Sequence, residues 1–147
     1  MTLYGFDLGF ELYPNHPNND WVFSGAYSYV SENLFRDLDG IADIALNAPR
    51  HKFNFGANYS PLGTGLRLGG RVRYKDAFPM NSGVYVGDLE AFTVLDLNAA
   101  YDLPMKNSSA AITLNLNANN VLNNEHGEFV GAPEIGRLVS GGITVGF

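Results

Sequence analysis

Seven times along this chain, apolar and polar side chains alternate one for one over roughly ten residues, a pattern that leaves few folds open. The first run sets Tyr4, Phe6, Leu8, Phe10 and Leu12 against Gly5, Asp7, Gly9 and Glu11. The second sets Trp21, Phe23, Gly25, Tyr27 and Tyr29 against Val22, Ser24, Ala26 and Ser28. The others run Lys52–Tyr59, Leu66–Lys75, Leu95–Asp102, Ile112–Asn119 and Val139–Phe147. A period of two is that of a strand, whose successive side chains leave opposite faces of the pleat. Runs of about ten residues suit strands tilted across a bilayer and are about twice the usual soluble length. The expected fold is all-β and antiparallel, with about seven strands.

Alternation alone does not say which face meets lipid, because a soluble barrel hides its apolar face and a membrane barrel turns it outward. Three features favour the second. Short connectors (Pro14–Asp20, Pro61–Gly65 and Pro104–Ser109) take turns with long ones near Glu32–Arg50, Asp76–Ala91 and Asn120–Gly136. Outer-membrane barrels have short periplasmic turns and long extracellular loops, so a chain crossing back and forth must alternate them. Tyr13, Trp21, Tyr59, Tyr101 and the terminal Phe147 stand where strands meet short connectors, as an interfacial aromatic girdle would. The polar face carries Asn, Ser, Thr, Gly and several charges, which are costly against hydrocarbon and ordinary against a wet lumen.

The bulk numbers agree. Apolar residues make up 46% of the chain, yet mean hydropathy is only −0.07. No stretch approaches the ~18–20 continuous apolar residues of a spanning helix. There is no cysteine, which removes disulfides and thiolate metal sites, and a net charge of −6 disfavours a nucleic-acid surface. No cofactor is expected. Residues 1–5, Met-Thr-Leu-Tyr-Gly, lack the features of an export signal, and single-chain bacterial barrels have an even number of strands. Both points lead us to expect a fragment of a longer barrel.

At the last two runs the sequence resembles a known family. Asn117-Ala118-Asn119-Asn120-Val121-Leu122-Asn123, then Gly131-Ala132-Pro133-Glu134-Ile135-Gly136-Arg137, then Ile143-Thr144-Val145-Gly146-Phe147, is similar to the C-terminal end of TonB-dependent outer-membrane receptors. Asn47-Ala48-Pro49-Arg50-His51-Lys52 and Phe92-Thr93-Val94-Leu95-Asp96-Leu97 resemble upstream pieces of the same family. The resemblance implies that residues 1–147 are the C-terminal part of a larger, 22-stranded barrel, with plug domain and earlier strands lying elsewhere. It implies energy-coupled uptake of a scarce solute of siderophore, cobalamin or oligosaccharide type; the want of a catalytic set in the pattern leads us to expect no enzyme. The partners it implies are outer-membrane lipid and lipopolysaccharide, TonB through other segments, and the barrel-assembly machinery, for which Phe147 would be the insertion signal. A passive porin-like channel and a soluble β-barrel binding module are the competing readings.

Candidate site residues fall into two groups. Arg67, Arg71, Arg73 and Lys75 form a basic stripe on one polar face, next to a run bearing Asp96 and Asp102. Such a stripe either guides an anionic ligand through the lumen or forms a cross-strand charge ladder within the wall, and the nearby acids favour the ladder. Glu125, His126 and Glu128 sit in the last long connector as possible extracellular ligand contacts; their spacing is not that of a metal site. Acidic residues gather in the long connectors, among them Glu32, Asp37, Asp39, Asp88 and Glu90. No nucleophile–base–orienter set is present in the pattern.

Overall fold

A computed structural model of the chain describes residues 2–16, 19–36, 43–105 and 110–147. Asp37, Asp39 and parts of the Pro14–Asp20 and Pro104–Ser109 connectors lie outside the described residues. Each of the seven alternating runs is a strand: β1 (Gly5–Leu12), β2 (Asn19–Val30), β3 (His51–Pro61), β4 (Leu66–Lys75), β5 (Phe92–Asp102), β6 (Ala111–Asn119) and β7 (Leu138–Gly146). They form one antiparallel sheet in chain order, each hydrogen-bonded to the next. No helix occurs among the described residues.

Register keeps the two faces apart. Phe6 faces Tyr29, Trp21 faces Tyr59, Phe55 faces Val72, Leu97 faces Gly70 and Ala118, and Leu114 faces Ile143. A slip of one residue at any pair would turn that strand's apolar set onto the polar face. The apolar face is not a core. Leu116 is 54% exposed and Ile143 70%, and Phe6, Leu8, Phe55 and Leu97 are exposed as well. Rings pave much of it: Trp21 stacks on Tyr59 with centroids 4.5 Å apart, and Phe23 and Phe10 both reach Phe55. Phe10 lies across Gly25, covering the gap left by the absent side chain.

Apolar burial is found instead among the long connectors and at the start of β5, where Phe92 and Val94 are buried. The connector after β4 folds into a hairpin, Phe78–Ser82 against Tyr85–Leu89, and Phe78, Met80 and Leu89 bury themselves with Val130 packed on them. The connector after β2 carries a smaller pair, Leu34–Phe35 with Ile44–Ala45. The one after β6 has a single bridge, His126 to Ile135.

The tight turn between β3 and β4 places two glycines in the left-handed region, Gly63 at φ 73° and Gly65 at φ 70°. A Cβ on Gly63 would meet open space, whereas one on Gly65 would lie 2.8 Å from the Asp102 carbonyl oxygen of β5. The Gly65 carbonyl also accepts the Asp102 N–H at 2.9 Å. Gly63→Ala is expected to cost about 1 kcal/mol, the left-handed penalty alone. Gly65→Ala should cost about 1 kcal/mol more, because backbone must also move. Urea unfolding of the two variants side by side checks this; equal costs would mean that the β5 contact is slack.

Candidate functional site on the polar face

The β4–β5 register places Arg71 opposite Asp96, Arg73 opposite Val94 and Arg67 opposite Ala100. Ion pairs nevertheless run diagonally. Arg73 Nε donates to Asp96 Oδ2 at 3.1 Å. Arg67 grips Asp102 with both terminal nitrogens, Nη2 donating to Oδ1 at 2.9 Å, and Thr113 Oγ1 donates to the same carboxylate at 2.7 Å. Arg71 forms no ion pair among the described residues. The Lys75 ammonium stands 5.5 Å from the Phe92 ring centroid and 5.7 Å from that of Phe78, within cation–π range. The stripe is thus four separate situations: two laddered arginines, one arginine without a carboxylate, and one lysine on aromatic rings.

The last connector reaches this face through an asparagine corner. Asn120 (φ 51°) and Asn123 (φ 53°) both take the left-handed conformation, which asparagine tolerates better than most residues. Asn120 is buried, and its carboxamide is fully used: Oδ1 accepts from Asn124 N–H at 3.0 Å, and Nδ2 donates to the carbonyls of Asn124 (2.9 Å) and Ile135 (3.4 Å). Asn123 Oδ1 accepts the Arg137 N–H at 3.0 Å, tying the far end of the connector back to the corner. Past the corner the chain bonds to β5 through Val121 N–H to the Leu95 carbonyl, Asn124 Nδ2 to the Thr93 carbonyl, and Asn120 N–H to Asp96 Oδ1.

This brings the two candidate groups together. His126 is buried, its ring centroid 3.9 Å from that of Phe92. Its Nδ1 lies 2.7 Å from the Asn124 carbonyl, and a carbonyl only accepts, so Nδ1 carries a proton. Nε2 faces Glu128 Oε1 at 3.7 Å, and the same oxygen lies 3.9 Å from Arg73 Nη1. Asp96, Arg73, Glu128 and His126 therefore form one network from strand to connector, roofing the end of the polar face. Glu125 stays exposed on the other side of the connector, near Asp88, Glu90 and Glu134 around a separate cavity. Among the described residues, no three His or carboxylate groups are arranged to hold a metal ion.

The aromatics at the short-connector end are less uniform than their spacing implies. Trp21 and Tyr59 are direct cross-strand partners, and Tyr101 lies between Leu66 and Leu114. Tyr13 donates to Glu11 Oε2 at 2.7 Å, and this bond, followed by the carboxylate's charge, raises the phenol above its ordinary pKa. Phe147 follows β7 fully exposed. A second aromatic group at the opposite end was not foreseen: Phe6 against Tyr27 and Tyr29, Phe53 against Tyr74, and Tyr27 OH 2.7 Å from His51 Nδ1. Counting aromatics along each run, not only beside short connectors, would have found it. From Trp21 to Tyr29 is about 26 Å along the strand at about 3.3 Å per residue. At a tilt of about 40° that is about 20 Å of depth, close to the apolar band of a membrane barrel.

No curated protein and no solved structure matches the chain. The family model described as "TonB dependent receptor-like, beta-barrel" matches residues 1–121, most of the sequence. With an all-β antiparallel wall, one face apolar and exposed and the other charged, the chain belongs to the TonB-dependent receptor β-barrel family, whose members are outer-membrane transport receptors.

Proposed function

We propose that residues 1–147 form the C-terminal part of the barrel wall of a receptor that takes up a scarce, large solute by energy-coupled transport. In this reading the apolar face meets outer-membrane lipid, the polar face lines the lumen, and the long connectors face outward toward lipopolysaccharide and ligand. TonB and the plug would act through segments outside this stretch. Phe147 would serve the assembly machinery as an insertion signal. The observation carrying the proposal is that the apolar sets of neighbouring strands share one face, on which Leu8, Phe55, Leu68, Leu97, Leu116 and Ile143 are exposed and the rings of β2 are half-buried. A water-soluble barrel would bury those residues. The family is one of transporters, and its wall is a scaffold on which charge and loop shape set selectivity.

The test is solute uptake by cells whose only copy of the parent gene is intact or deleted, with a ferric siderophore, cobalamin and an oligosaccharide each offered at limiting concentration. Uptake of one class should depend on the gene and stop when a protonophore dissipates the proton gradient. Gene-dependent uptake that survives the protonophore would establish a passive channel instead.

A further inference from the structure

Beneath the roof formed by the last connector, register sets Lys52 of β3 directly opposite Lys75 of β4 on the polar face. Side chains so placed start from Cβ atoms about 4.5–5.5 Å apart, and like charges there repel. Elsewhere on this face the wall supplies counter-charges: Asp102 to Arg67, and Asp96 to Arg73. Neither lysine is in an ion pair among the described residues, and the nearest wall carboxylate in their row, Asp7 of β1, lies two strands from Lys52. Lys75 is held in place by the Phe92 and Phe78 rings, which steady an ammonium without neutralising it.

Both lysines line a cavity of about 270 Å³, together with Arg73, Ser28 and Asn54. Ser28 is the β2 partner of Lys52, and Asn54 the β3 partner of Arg73, so the donors come from three adjacent strands. Glu128 is the one carboxylate lining the cavity among the described residues, and it is already shared between Arg73 and His126. Arg73 is already compensated by Asp96 and Glu128, so the uncompensated charge is that of the two facing ammonium groups, with a hydroxyl and a carboxamide beside them. We infer that this cavity binds the phosphate or carboxylate group of a small solute between Lys52 and Lys75, with Arg73, Ser28 and Asn54 as further donors. Charge-assisted hydrogen bonds from ammonium and guanidinium groups are the strong kind. The site rests on this geometry alone and stands whether or not uptake is energy-coupled.

Equilibrium dialysis of the purified full-length protein in detergent, with labelled inorganic phosphate and labelled citrate at low ionic strength, tests the inference without any energy source. Wild type should bind at least one probe saturably. Lys52→Met/Lys75→Met should weaken that binding by about tenfold or more, while Lys75→Arg retains it. Arg50→Gln, which removes a cation outside the cavity, should leave it unchanged. If the double variant does not assemble, Lys52→Gln alone should show the loss. Equal binding by wild type and the lysine variants overturns the proposal. So does an absence of saturable binding in wild type: with a destabilised double variant the pair is occupied by another part of the protein, and with a stabilised one it is merely repulsive.

Discussion

Replacing Asn120 with alanine is expected to lower the stability of the wall by about 3 kcal/mol and to release the connector that roofs the polar face. Three effects add. The substitution removes an acceptor from Asn124 N–H and a donor from the carbonyls of Asn124 and Ile135, at a position only 3% exposed. Buried groups orphaned in this way cost about 1–3 kcal/mol each when water does not replace the partner. Alanine must also hold a φ of 51°, which adds about 1 kcal/mol. Asn120→Gly removes the same bonds without the conformational cost, so it should retain about 1 kcal/mol more than alanine. Urea unfolding ranks the variants, and limited proteolysis within residues 121–137 reads whether the connector has come free. Wild-type protease resistance in Asn120→Ala would show that the corner is held by its backbone alone.

The second large effect concerns the faces. Leu116→Arg, near the middle of β6, should cost about 2–4 kcal/mol and reduce the amount of assembled protein, because that side chain would carry its charge into hydrocarbon. Asn117→Arg, one residue on, places the same group on the polar face and should change stability by less than about 1 kcal/mol. Chain, strand and substituted residue are nearly identical in the two variants, so the difference reports the environment of each face. Outer-membrane yield and heat-modifiable gel mobility measure it. Equal tolerance of both would remove the membrane orientation; intolerance of Asn117→Arg alone would invert it.

The wall was legible because its code is local. Period-two alternation over Tyr4–Leu12 or Ile112–Asn119 needs no partner to be read, and all seven runs are strands. Connector lengths were readable for the same reason. Pairing offsets were not. Arg67 meets Asp102 and Arg73 meets Asp96 only because the turns between strands fix a diagonal register, which the separate runs do not reveal. The charge-ladder reading names the acids, Asp96 and Asp102, and not which arginine each of them meets. Convergence of Glu128 and His126 on Arg73 and Phe92 was invisible because it depends on the asparagine corner turning the chain over β5. Lys52 stands apart from the basic stripe in the sequence because it lies on β3, and only the β3–β4 register sets it opposite Lys75. Asn120 and Asn123 belong to the stretch that carries the family resemblance; their left-handed backbone, the fully used carboxamide of Asn120 and the Asn123 Oδ1 bond to Arg137 N–H give the physical reason for asparagine there.

Apolar burial gathers at one end of the sheet, in Phe35, Phe78, Met80 and Leu89 of the connectors and in Phe92 and Val94 where β5 begins, and this has a thermal consequence. In a bilayer, side chains such as Leu97 and Ile143 lie in a medium about as apolar as themselves, so separating strands within lipid exposes little new nonpolar surface to water. The connectors and the start of β5 would then contribute most of the heat-capacity increment on unfolding. The rim is therefore the part of this protein whose cohesion should weaken on cooling, and the wall beneath it should be comparatively indifferent to temperature.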